Sequence, residues 1–101
     1  MYKRIFTESY LGDVFGFKEF DQMSTQDFKK LDQLFKQRDD LVEKGVEDSE
    51  LLQKWMDFGS INTFQDLLES EGYLLKLLKK GKTPVEKTIA KLTQQILKLL
   101  Y

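Results

Sequence analysis

Apolar residues recur at intervals of three and four along most of the chain, the spacing of one face of an α-helix. The first such stripe contains Phe28, Leu31, Leu34, Phe35, Leu41 and Val42, with charged residues on the other side. Ser24 with Asp27 three residues later is an acidic variant of the capping box. Gly45 can end a helix in the left-handed conformation. The pattern therefore predicts a helix over residues 24–45.

Two shorter stripes predict the middle of the fold. The first follows a cap at Asp48 or Ser49, ends at Gly59, and has an apolar arc of Leu51, Leu52, Trp55 and Met56. The second follows a turn over residues 59–62 and has Phe64, Leu67, Leu68, Leu74, Leu75 and Leu78 on its inner side. Gly72 interrupts this second stripe, which predicts either a kink or a boundary between two helices.

The last helix has the clearest start signal in the chain. Thr83-Pro84-Val85-Glu86 combines a capping Thr, a Pro at the first helical position and a Glu that closes the capping box. The apolar seam that follows is Val85, Ile89, Leu92, Ile96 and Leu99. We predict that this helix continues to Tyr101.

These elements predict an all-α protein of four to five helices, packed as a small irregular or antiparallel bundle. The 101 residues suit a single helical domain over residues 1–101. The aromatic-rich N-terminal part, about residues 1–23, contains Gly12 and Gly16 and predicts either a short helix over residues 3–11 or a hairpin turning near Gly12-Asp13. The predicted core is Phe28, Leu31, Leu34, Phe35, Leu41, Leu52, Trp55, Leu67, Leu68, Leu74, Leu75, Leu78, Val85, Ile89, Leu92, Ile96 and Leu99.

The composition removes most catalytic chemistry. The chain has no Cys and no His, which excludes disulfides, thiolate nucleophiles and the commonest metal ligand and general base. Acid pairs such as Asp40 with Glu43 would suit Mg²⁺, but sixteen acids in residues 1–71 make such pairs frequent by chance. Gly81-Lys82-Thr83 resembles the end of a P-loop, yet Lys76 occupies the position of its first Gly. We predict no enzymatic activity, no metal and no cofactor.

Charge is strongly segregated along the chain. Residues 1–71 have a net charge of −7, whereas residues 72–101 have +6. The predicted basic surface consists of Lys76, Lys79, Lys80, Lys82, Lys87, Lys91 and Lys98. Such a segment either lies beside acidic helices of the same molecule and is neutralised there, or forms a face for nucleic acid or lipid.

A DNA-binding regulator is one alternative function. Residues 73–98 could form a helix-turn-helix whose second helix presents Lys87, Thr88, Lys91, Thr93, Gln94, Gln95 and Lys98 to DNA. Against this, Leu77 stands where such motifs usually have a small residue, and the spacing from the turn to the first apolar anchor is unusual. The protein is also acidic overall.

A membrane-associated protein is the second alternative. No apolar run approaches the ~20 residues that span a bilayer, but a basic amphipathic helix can lie among lipid headgroups. In size and helical class the chain is similar to immunity proteins of Gram-positive bacteriocin producers, although it matches none of their motifs. The polar N-terminus predicts a cytoplasmic location. One Ala beside many Lys, Leu, Phe and Asp indicates phage, plasmid or low-GC bacterial origin.

Protein binding is the function that we predict first. Aromatic anchors supply much contact area at interfaces, and the candidates are Tyr10, Phe15, Phe17, Phe20, Trp55 and Phe58. We expect roughly two-thirds of them to be buried, with Phe58 as the favoured exposed one. The chain would act as an adaptor or inhibitor that occludes a macromolecular partner. Self-association as a homodimer through the seam of residues 85–99 is a further hypothesis.

Overall fold

Four α-helices account for most of residues 17–101, the part of the chain that the computed structural model describes. They are α1 (Thr25–Gly45), α2 (Glu50–Met56), α3 (Phe64–Leu78) and α4 (Pro84–Leu100), with short 3-10 helices at Lys18–Gln22 and Val46–Asp48. No strand occurs between residues 17 and 101. The predicted all-α fold is confirmed, whereas the choice between helix and hairpin for the N-terminal segment lies outside the described residues.

Each helix begins at a hydroxyl side chain that accepts a hydrogen bond from its first turn. Ser24 accepts from the backbone N–H of Asp27, and Ser49, rather than Asp48, caps α2. Thr63 and Thr83 cap α3 and α4, and both belong to complete capping boxes. These local contacts fix where the helices start, which explains why the starts of α1 and α4 were predictable from sequence.

Two glycines behave differently from the sequence prediction. Gly72 does not interrupt α3, which continues through it without a break. One Gly lowers the stability of a helix by only ~1 kcal/mol, and apolar residues of α3 pack into the core both before and after Gly72. Gly45 has φ −107° rather than a left-handed conformation, and the chain continues into a 3-10 turn. Among the described residues, only Gly59, with φ 108°, is left-handed.

The core is divided into two apolar clusters along the helix axes. The first contains Phe20, Leu31, Leu34, Phe35, Leu67 and Ile96. The second contains Val42, Leu52, Leu74, Leu78 and Ile89. The order of these residues shows that α1 and α3 both run from the first cluster to the second. Helix α4 packs against both of them and runs in the opposite direction.

Two residues lie where the sequence pattern did not place them. Val85, predicted for the core, is 41% exposed, because Glu86 takes the buried side of the first turn of α4. Phe20, predicted as a partner anchor, is buried in the first cluster, where its ring packs edge-on against Phe28 and Phe64. Other predicted core residues are only partly buried: Phe28, Leu41, Trp55, Leu68, Leu75, Leu92 and Leu99.

Candidate functional site

A polar layer separates the two apolar clusters. Arg38 of α1, only 1% exposed, donates through both terminal nitrogens to the Glu71 carboxylate, with a distance of 2.9 Å from Nη2 to Oε2. Its Nη1 also donates to the Thr93 hydroxyl at 3.2 Å, and its Nε donates to Asp39 at 2.7 Å. The three long helices are therefore joined by one buried guanidinium.

The layer holds a permanent charge. Burial alone would lower the pKa of Arg38, but the attraction and hydrogen bonding of Glu71, with a smaller contribution from Asp39, raise this pKa above its ordinary value. The Thr93 hydroxyl is itself satisfied, since it donates to the Ile89 carbonyl at 2.9 Å. Arg38, Glu71 and Thr93 thus have hydrogen-bond partners within the layer, and their role there is structural rather than acid–base.

Sequence reasoning missed this layer, although a signal was present. Arg38 lies in the apolar stripe of α1, four residues after the buried Leu34 and three after the buried Phe35. Glu71 and Thr93 likewise lie four residues after a buried position of their stripes, Leu67 in α3 and Ile89 in α4. The prediction of Thr93 as a DNA contact was wrong, because its side chain is buried. A polar residue at a stripe position in each of three helices is the pattern that predicts a shared buried contact.

Trp55 connects this layer to the surface. Its indole N–H donates to the backbone carbonyl and to the hydroxyl of Ser70, both at 3.0 Å, which holds α2 against α3. The Arg38 guanidinium carbon lies 5.0 Å from the centre of the indole ring, within cation–π range. The ring is thus fixed on both sides and forms a rigid wall.

Beside Trp55 is an open groove between α1 and α2. It has a volume of about 380 Å³ and is lined by Asp39, Val42, Glu43, Val46, Trp55 and Met56. Met56, one of the residues that line it, is 62% exposed. The groove therefore combines a rigid apolar wall, a flexible thioether and two carboxylates on the α1 side.

Among the other predicted anchors, those that the structure describes do not line this groove. Phe58 is half-buried, with its ring 5.9 Å from that of Tyr73, so it is not the exposed aromatic that we predicted. Phe17 is half-buried and packs edge-on against Phe64. Phe15 and Tyr10 lie outside the described residues. The exposed anchor candidate is Met56, which sequence reasoning had assigned only to an apolar arc.

All seven lysines of the predicted basic surface are exposed. Helix α4 packs beside α1 and α3, and no lysine of this set forms an ion pair with any residue in the range 17–101. Neutralisation of this segment by acidic helices beside it stays a prediction. In the seam of α4, Ile89 and Ile96 are fully buried inside the molecule, whereas Val85 is 41% exposed. Most of the seam is therefore used within one molecule, and a homodimer through it stays a hypothesis.

Glu86, the one acid within residues 72–101, points inward. Its carboxylate accepts from the Ser49 hydroxyl at 2.5 Å and from the backbone N–H groups of Lys82 and Thr83 at 3.0 and 3.2 Å. The Ser49 hydrogen bond is the largest cause of a pKa lowered from the ordinary value of a glutamate, and burial opposes it. The residue is 8% exposed, and its lowered pKa keeps the carboxylate ionised at neutral pH, so the net charge of residues 72–101 is +6 with Glu86 included.

Within residues 17–101 no three acidic side chains gather as metal ligands would. None of the helices in that range combines the length and hydropathy that crossing a bilayer requires. The chain was compared with protein-family models, curated proteins and solved structures. None of them matches. The interpretation of its function therefore depends on the geometry of the groove and of the basic surface.

Proposed function

We propose that this chain is a small, non-enzymatic binding protein of the cytoplasm that captures a segment of a partner protein in the groove beside Trp55. The captured segment presents one apolar side chain flanked by Lys or Arg. The chain acts as an adaptor or inhibitor, because a partner surface held in the groove is occluded from other molecules.

The groove supports this proposal through its position and its chemistry. Its volume lies within the ~300–1,000 Å³ of typical ligand sites. Met56 adapts to different apolar surfaces because its side chain is unbranched and polarizable, while Trp55 is held in place by Ser70 and Arg38. A rigid aromatic next to an adaptable apolar residue is a suitable combination for an interface anchor.

The charge of the groove supports a basic partner. Asp39 and Glu43 are one helical turn apart on α1 and both line the groove. Asp39 also pairs with Arg38, whereas Glu43 is exposed. A Lys or Arg next to the inserted apolar residue would meet these carboxylates, and complementary charge chiefly increases association rate and specificity.

The buried charged groups support a non-enzymatic role. Within residues 17–101 no buried side-chain oxygen or nitrogen lacks a hydrogen-bond partner. Arg38, Glu71 and Glu86 each serve a helix contact or a cap. These three charged groups are therefore used inside the fold, which supports the proposal of a non-enzymatic role.

A peptide-display selection against the protein tests this proposal. Trp55 is the sole Trp of the chain, so its fluorescence reports on this groove. We expect the selected peptides to contain an apolar residue beside Lys or Arg and to change the emission of Trp55. The variant Met56→Lys with Glu43→Lys should weaken binding at least ~10-fold, the loss of one hot-spot contact.

The matched control is Glu19→Lys with Gln94→Lys, which changes the charge equally at exposed positions outside the groove. This control should bind the peptides within about twofold of wild type, since rim-type charges far from a contact contribute little. The proposal is overturned if the selected peptides are acidic, if they leave Trp55 emission unchanged, or if they bind the groove variant as tightly as wild type.

A further inference from the structure

We propose that the outer face of α4 binds the phosphate backbone of a double-stranded nucleic acid. This face, called the α4 basic face below, consists of Lys87, Thr88, Lys91, Gln94, Gln95 and Lys98, all exposed. It contains three cations, three neutral hydrogen-bonding side chains and no acid. The proposal is independent of the groove, which lies between α1 and α2.

The positive charge of this region is not cancelled at the surface. Residues 72–101 contain seven lysines and one acid, and that acid, Glu86, is directed into the contact with Ser49. No lysine of the α4 basic face forms an ion pair with another residue in the described range. Lysines that neutralise phosphates release cations condensed on the nucleic acid, and this release favours binding.

The loop before α4 adds positive charge near the start of this helix. A Cβ on Gly81 would lie 2.9 Å from the Cβ of Glu86, which shows how closely the loop approaches the first turn of α4. Lys80 and Lys82, both exposed, are adjacent to Gly81 in this loop. Their charges therefore add to the positive field at the N-terminal end of α4.

The length of the face suits a duplex. Lys87 and Lys98 are eleven residues apart, which corresponds to about 16 Å along a helix. The major groove of B-form DNA is about 12 Å wide, so the face is long enough for lysines at its two ends to reach phosphates on both sides of the groove. Gln94 and Gln95 between them can donate to phosphate and sugar oxygens, contacts that position a protein without reading sequence. The Thr88 hydroxyl already donates to the Pro84 carbonyl at 2.9 Å.

A lipid surface fits this face less well. A helix that lies among headgroups needs an exposed apolar side, whereas Ile89 and Ile96 of α4 are fully buried in the core. The α4 basic face itself contains no large apolar residue. The acidic first two-thirds of the chain repel phosphate, so binding is one-sided and we expect a Kd in the ~10⁻⁴ to 10⁻⁶ M range of non-specific complexes.

The test is fluorescence anisotropy of a labelled, mixed-sequence DNA duplex with the full chain at several salt concentrations. The variant Lys87→Gln, Lys91→Gln, Lys98→Gln should bind at least ~10-fold more weakly and lower the salt slope by about 2–3, roughly one per phosphate contact. The matched control removes three exposed lysines of α1, Lys29→Gln, Lys30→Gln and Lys36→Gln. The affinity of this control for the duplex should stay within about threefold of that of wild type, because only the longer-range electrostatic field of the protein changes.

We expect both triple variants to fold, because all six lysines are exposed. Circular dichroism of the two variants verifies this. The proposal is overturned if wild type does not bind the duplex at 50 mM salt. It is also overturned if both triple variants lose affinity equally, which would indicate net charge alone. Binding to anionic phospholipid vesicles or to polyglutamate as tight as to the duplex would likewise assign the face to another partner.

Discussion

The buried ion pair of Arg38 and Glu71 makes a sharp prediction about stability. Both side chains are almost inaccessible to solvent, and removing one partner of such a pair costs about 3–5 kcal/mol because the other charge stays buried. A domain of this size has a free energy of unfolding of only ~5–15 kcal/mol. We therefore expect Arg38→Met or Glu71→Leu alone to remove a large fraction of the stability.

The two single variants should not be equal. In Glu71→Leu the guanidinium keeps Asp39 at 2.7 Å, whereas in Arg38→Met the Glu71 carboxylate loses both donors of its cationic partner. Arg38→Met should therefore be the more damaging. The double variant should recover most of the loss and lie within ~1 kcal/mol of wild type or above it, because apolar side chains of similar volume remove both desolvation penalties.

Equilibrium urea unfolding, followed by circular dichroism and by Trp55 fluorescence, measures the four free energies of this cycle. The control is Glu69→Gln, an exposed acid on the same helix, which should change stability by less than ~0.5 kcal/mol. The reasoning is refuted if either single variant costs less than ~1 kcal/mol. It is equally refuted if the double variant loses the sum of the two single losses.

Three further predictions concern the Glu86 cap of α4, the close approach of Gly81 to Glu86, and the first apolar cluster. The folded-state pKa of Glu86 is lowered, so its contribution to stability is present above the ordinary pKa of ~4.3. This stability is lost as pH falls through the folded-state pKa. In thermal melts, Glu86→Gln should therefore cost ~1 kcal/mol of stability at pH 7 and less at pH 3. Gly81→Ala should destabilise by ~1–3 kcal/mol, because its Cβ would overlap Glu86, whereas Gly72→Ala, with open space around it, should stabilise by ~0.5–1 kcal/mol. Phe20→Ala should cost ~3–5 kcal/mol in urea unfolding, and a loss below ~1 kcal/mol would restore Phe20 as a surface residue.

Local signals made part of this fold predictable from sequence. The starts of α1 and α4 depend on caps and capping boxes within four residues, so the sequence contains all that determines them. The apolar stripes predicted where the helices lie, because their spacing of three and four residues is also visible in the sequence alone. Gly72 was misjudged because a helix end depends on whether packing continues beyond the glycine, which sequence spacing does not reveal.

The polar layer could not be derived with the same methods. Arg38 contacts residues 33 and 55 positions away, and a charged residue in an apolar stripe looks like a simple break until its partners are known. The groove was not predicted from the sequence; of the residues that line it, only Trp55 was a candidate anchor. The exposure of Met56 and the half-burial of Phe58 depend on how α2 packs against α1 and α3, a tertiary property.

The Arg38–Glu71 pair also bears on how diverged relatives of this chain can be recognised. A change at one position is tolerated only with a compensating change at the other, 33 residues away. During evolution the two sites should therefore switch together, either exchanging their charges or both becoming apolar. Such a correlated substitution at this separation would indicate that a relative keeps the same contact between α1 and α3.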